Sequence, residues 1–259
     1  MEQLIFEVIK PGSFIEWEIQ DKDKWHLTSL ILNLEASFFE ANVALNFFNS
    51  ELSSLRDMMK HNAEEWNRAS EIKIQLYEKY STLPFDERYF KVETEAKKMM
   101  WSEGYLPSSL NRKNHLLYAK MFLYSIDSFL KTCEVMSKAM YKPTQTLIDG
   151  IATLKLQFPH LTPVRNAAHH MEDYVRGIGM IRGKKQEIQL KPINNNFVNS
   201  ESGALIVNSL NGNKYSQTMA DGHLGEIEVS AGSLETVRVV FQNILDSYNW
   251  SGHKQHLPM

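Results

Sequence analysis

An arginine, an asparagine and two histidines crowd into Arg165-Asn166-Ala167-Ala168-His169-His170, followed by Met171-Glu172-Asp173-Tyr174. These side chains can hold an anion and move a proton. An imidazole exchanges protons near neutral pH, and a guanidinium fork matches the oxygens of a phosphate. Val164, Ala167, Ala168, Met171, Val175 and Ile178 recur at helical spacing. At about 100° per residue, Arg165, Asn166, His169, His170 and Asp173 then project away from that apolar stripe, toward solvent or another subunit. Thr162-Pro163 predicts an N-cap followed by proline at the first helical position, and Gly177 and Gly179 predict the end. Arg165 thus falls in a first turn, where the helix dipole disfavours a cation by about 0.3–1 kcal/mol. An anion should offset it. A phosphate would do so, as would a carboxylate from a neighbouring helix or plain solvation.

Arg165-Asn166, with four residues between the arginine and His170, resembles the signature of the HEPN superfamily: arginine, a polar residue, and a histidine a turn later. The resemblance covers this motif and, loosely, the helices from about residue 26 to 180. It implies a helical bundle with the motif on a late helix. It further implies a metal-independent endoribonuclease acting as a homodimer, with two motifs facing one cleft, or else a non-catalytic partner of that fold. On the catalytic branch, His170 is general acid or base for attack by the RNA 2′-hydroxyl, Arg165 holds the phosphate, and Asn166 orients one of these groups or the substrate. Single-stranded RNA is the implied partner, and neither cofactor nor metal is needed. Some active members carry a tyrosine two residues after the histidine; here that position is Glu172. Arg56-Asp57-Met58-Met59-Lys60-His61 fits the same spacing, but at the far end of a long first helix, and is read as a chance match.

Other chemistries lack their residues. A di-iron carboxylate bundle needs Glu-x-x-His pairs, and none of the nine histidines has a glutamate three residues before it. A lone cysteine, Cys133, excludes a Cys-based zinc site, and glycine fingerprints for dinucleotides or nucleoside triphosphates are missing. Cys133 sits in an apolar periodic run and reads as inert core. A formal net charge of -3 gives no global field for a polyanion, so RNA would need a local patch. Two stretches offer one: Arg112-Lys113-Asn114-His115 with Lys120, and Arg176 with Arg182, Lys184 and Lys185. Short charge runs of this kind are more often an ordinary solvated helix end or loop.

The elements that must position these residues are mostly helical. Leu27, Leu30, Ile31, Leu34, Phe38, Ala41, Leu45, Phe48, Leu52, Leu55 and Met59 predict one long amphipathic helix from about His26. Further helices are expected over Ala63–Tyr80, Val92–Glu103, Asn111–Met140 and Thr144–Phe158, giving an antiparallel bundle. Leu4–Ile9 and Phe14–Ile19, either side of Pro11-Gly12-Ser13, predict an N-terminal hairpin. After Arg182 the period turns to strands at Glu187–Lys191, Ala204–Leu210, Lys214–Met219 and Glu226–Ser230, with turns at Asn211-Gly212 and Asp221-Gly222. Ser233 is expected to cap a last helix through Ser247, followed by a loose tail.

The expected class is therefore α+β, predominantly α. A helical domain with the hairpin occupies 1–183, and a small antiparallel sheet with the terminal helix occupies 184–259. No apolar run approaches the roughly 20 residues that span a bilayer, and no signal peptide is seen, so a cytoplasmic protein is expected. The rival to the nuclease is a non-catalytic interaction or RNA-binding module, with the C-terminal part meeting a protein partner.

Overall fold

The computed structural model describes residues 3–16, 21–138 and 144–259, the side chains of 21–22, 52–62, 108, 111 and 112 excepted. The fold is α+β and predominantly α. It divides into two compact units, 1–47 with 116–259, and 48–115. This division differs from the expected partition at 183/184. The reason is packing, since the last helix and the small sheet both lean on helices that precede residue 184.

Strands β1 (Val8–Lys10) and β2 (Phe14–Ile15) exist where β-favouring residues predict them, but they do not form the expected hairpin. Each pairs antiparallel with the C-terminal end instead. Gly12 makes this possible, because a side chain there would meet the Ser251 carbonyl at 2.5 Å. Residues 17–19 of the expected second strand lie outside those described.

Helix α1 (Asp21–Lys79) is a single run of 59 residues in place of the two helices expected. It contains neither proline nor glycine, so nothing in the backbone breaks it. The chance motif at Arg56 to His61 lies on it, with side chains outside those described. Helix α2 (Phe85–Ser102) starts a full two turns before the expected Val92, directly after Pro84. Gly104 at φ 94° closes it, with Tyr105 N–H donating to the Met100 carbonyl (3.0 Å). Helix α3 (Ser108–Lys138) comes next.

In the first unit α1 and α3 run antiparallel. Asn33 bonds Thr132, Ser37 bonds Ser128, and Phe47 stacks on Tyr118, so partners fall along α3 as numbers rise along α1. Leu34, Phe38, Phe122, Phe129 and Cys133 are fully buried along this seam. Helix α4 (Gln145–Gln157) is capped by Thr144, whose hydroxyl accepts from Leu147 N–H. Helix α5 (Leu161–His169) and the single turn α6 (Met171–Tyr174) replace one expected helix. Hairpin β3 (Ile178–Ile181) with β4 (Lys184–Glu187) is the next element, then β5 (Ile193–Asn194) with β6 (Asn199–Ser200). Strands β7 (Ser209–Asn211), β8 (Lys214–Thr218) and β9 (Leu224–Glu228) form a three-stranded antiparallel sheet, turning at Gly212 (φ 60°) as Asn211-Gly212 predicts.

Helix α7 (Ala231–Asp246) is capped by Ser230, three residues before the expected Ser233, which instead donates its N–H to the cap. It packs on α4 and β1, with Val240 so close to Gly150 that an added methyl would stand 2.9 Å away. The expected loose tail is ordered: β10 (Trp250–Ser251) pairs with β2, and β11 (Gln255–Leu257) pairs with β1.

Candidate functional site on helix α5

Leu161, Val164, Ala167 and Ala168 bury one face of α5, against β8 and β9. Thr162 is not the N-cap. The helix begins at Leu161, which is 1% exposed and drawn into the core, so Thr162 and Pro163 fall inside the first turn, where a proline is tolerated. The Thr162 hydroxyl is then free to donate to Asp127 Oδ1 on α3 (2.9 Å).

Asp127 is also what holds Arg165. The guanidinium Nε donates to Asp127 Oδ2 at 2.7 Å, and Lys131 Nζ reaches the same oxygen at 2.8 Å. The Asp127 side chain is 5% exposed and that of Arg165 18%. Of the anions that could offset this cation, the carboxylate of a neighbouring helix is the one in place. Tyr124, one turn before Asp127 on α3, has its phenol pushed up by burial, and its ring meets His169 edge-on at 6.5 Å. Arg165 therefore rests against α3, where the helical wheel alone pointed it to solvent or another subunit, while His169 touches Tyr124 and stays exposed as expected.

His170 has left the helix. Its backbone (φ -98°, ψ 46°) ends α5 while its N–H still donates to the Asn166 carbonyl (3.0 Å), and its own carbonyl accepts from Asp173 and Tyr174 N–H. The side chain is 55% exposed, with Nδ1 3.7 Å from the Glu172 carboxylate, beyond a hydrogen bond. Asn166 and His170 wall a pocket of about 450 Å³ with Asp173, Lys185, Asp221 and Met219 among its other sides. Arg165 is not among those walls. Of the three residues singled out in the sequence, the fold brings two together and turns the third toward α3.

Asp173, expected on the exposed face, is 5% exposed. Its carboxylate accepts from Lys185 (2.7 Å) and from Arg176 Nη2 (2.6 Å), and these partners hold its carboxyl below the usual carboxylate range, Lys185 foremost. The basic stretch expected to guide RNA thus has two of its cations committed to one carboxylate. In the other stretch, burial pulls the Lys120 ammonium down, and the Arg112 side chain lies outside those described. Val175, assigned to the apolar stripe, is 56% exposed, because the chain breaks at His170 and the residues beyond it take a new direction.

No family model, curated protein or solved structure matches the chain. The HEPN resemblance rests on the motif residues and their placement.

Asp127, Lys185 and Asp221 complete the site and were not singled out for it as a group. Asp127 carried a signal, since a carboxylate within the apolar run from Phe122 to Leu130 needs a cation. Among the described residues, no cluster of His, Cys, Asp or Glu could hold a metal ion. No described helix is long and apolar enough to cross a membrane.

Proposed function

We propose that the chain is a HEPN-like module that binds without cleaving, with the pocket beside His170 as its binding site and Arg165 as a tie between α5 and α3. The Arg165 to Asp127 pair, shared with Thr162 and Lys131, is the observation that carries this reading. A guanidinium that must stabilise a transition state has to face the reacting phosphate, and this one spends its Nε on a largely buried carboxylate. A cytosolic setting accords with the lone, buried cysteine, and the bound partner is an RNA segment or a protein.

A second reading is a metal-independent endoribonuclease using Arg165, Asn166 and His170 in a homodimer cleft. It is favoured by one observation, that Asn166 and a half-exposed His170 share a pocket. Two measurements separate the readings. If Arg165 is a tie, Arg165→Ala leaves Asp127 poorly compensated and lowers stability by about 1–3 kcal/mol. Single-stranded RNA incubated with wild-type protein in EDTA should stay intact. Cleavage leaving 2′,3′-cyclic phosphate ends, lost in His170→Ala, would sink the first reading and establish the second.

A further inference from the structure

Main-chain groups that no strand pairs need other partners. Along residues 3–10 they find three side-chain amides. Asn46, on α1, accepts from the Leu4 N–H at 2.8 Å and donates to the Leu4 carbonyl at 2.8 Å. Asn42, one turn earlier on the same face, accepts from the Phe6 N–H at 3.1 Å and donates to the Leu4 carbonyl at 2.8 Å. Gln242, on α7, repeats the Asn46 arrangement at Ile9, accepting at 2.7 Å and donating at 2.8 Å. Successive residues of a strand turn their main-chain groups to opposite edges, so β11 takes one edge of β1 and Gln242 the other. Helices α1 and α7 meet at Phe38 and Phe241, whose rings are 5.7 Å apart, and the segment runs across both.

Its side chains add little to this hold. Leu4, Ile5, Glu7 and Ile9 are exposed, and Phe6 and Lys10 are half-buried. Glu7 and Lys10 make surface contacts, with His256 and over the Trp250 ring. Val8 alone of residues 3–10 is buried, at 1% exposure, opposite Leu257. One buried side chain over such a length leaves little apolar area to anchor the segment, the mark of a region that opens without the rest of the fold. The channel between α1, α7 and β11 thus reads an extended main chain and a single aliphatic residue. Another segment with an aliphatic residue at the Val8 place meets the same donors and acceptors.

We propose that this channel is a receptor for an extended segment of a partner protein, and that residues 3–10 occupy it in the free chain as a tethered competitor. Neither reading of the α5 pocket is needed for it. Binding is by strand addition, in which main-chain hydrogen bonds supply the hold and the Val8 place supplies the selectivity. The chain's own segment has the advantage of attachment, which presents it at an effective concentration on the order of 1 mM. A partner displaces it through a better anchor or through contacts made elsewhere on the chain.

The probe is a fluorescently labelled peptide of residues 3–12, followed by anisotropy. Val8→Asp and Ile9→Pro, each made in the full chain, should evict the tethered segment. The first places a charge in an apolar site, and the second removes the N–H that Gln242 receives. Both variants should keep their helical circular dichroism and bind the peptide about tenfold more tightly than the wild type, or better. Adding Gln242→Ala to either should weaken binding again by roughly tenfold. In the peptide, N-methylation at Ile9 or Val8→Asp should abolish binding, whereas Ile5→Ser should leave it within about threefold. Equal binding by the wild type and both variants would overturn the proposal, as would no binding up to about 1 mM or an N-methylated peptide that binds like its parent. Loss of the fold in both variants would overturn it too, since the segment would then be a fixed part of the core.

Discussion

Asp173 sits between the Lys185 ammonium and the Arg176 guanidinium, and both keep it ionised. Its folded pKa lies below the unfolded value of about 3.9, so its stabilising contribution is complete above that pH and is lost as pH falls through the folded value. Melting temperature followed from pH 6 to pH 2 should therefore drop less steeply in Asp173→Asn than in the wild type, with the two curves converging in acid. Parallel curves would mean that this carboxylate does not link folding to protons. Both cations are more than half exposed, so added salt should shrink the difference. What the sequence could reveal at this scale was the residue type and, for Asn166 and His170, the neighbourhood. It could not reveal that Arg165 meets Asp127, 38 positions earlier, because a polar face announces that it needs a partner and not which one.

Helix α5 is set in place by β9, and Gly225 lets them touch. A side chain at Gly225 would collide with Val164 and stand 2.8 Å from the Met219 sulfur. Gly225→Val should thus push the strand from the helix and cost about 1–3 kcal/mol by overpacking, read from urea denaturation. A variant as stable as the wild type would show that β9 does not brace the site helix. Long elements were legible because an apolar stripe repeated over many turns leaves little ambiguity, as in α3 and the first nine turns of α1, whose continuation to Lys79 was read as a second helix. The breaks were less so. Nothing local distinguishes His170 from its helical neighbours, and the two-residue strands β5, β6 and β10 are too short to show a period of two.

The two ends of the first unit are stitched to each other, with Val8 opposite Leu257 and Ile15 opposite Trp250. Val8 and Leu257 are 1% and 3% exposed, and Trp250 Nε1 donates to the Leu245 carbonyl at 2.7 Å. Deleting 250–259 should strip both N-terminal strands of their partners and cost roughly 2–4 kcal/mol in lost apolar burial. A truncated protein melting with the wild type would restore the picture of a loose tail. The sequence favoured a local hairpin because proximity along the chain lowers the entropy of closure, and pairings more than 230 positions apart leave no local trace. The same stitching sets a timetable for synthesis. At about 5–20 residues per second, the first strands leave the ribosome roughly ten to fifty seconds before the segment that will pair with them. Until then Val8 and Ile15 lack their strand partners, and the unit closes only once residues 250–257 have emerged.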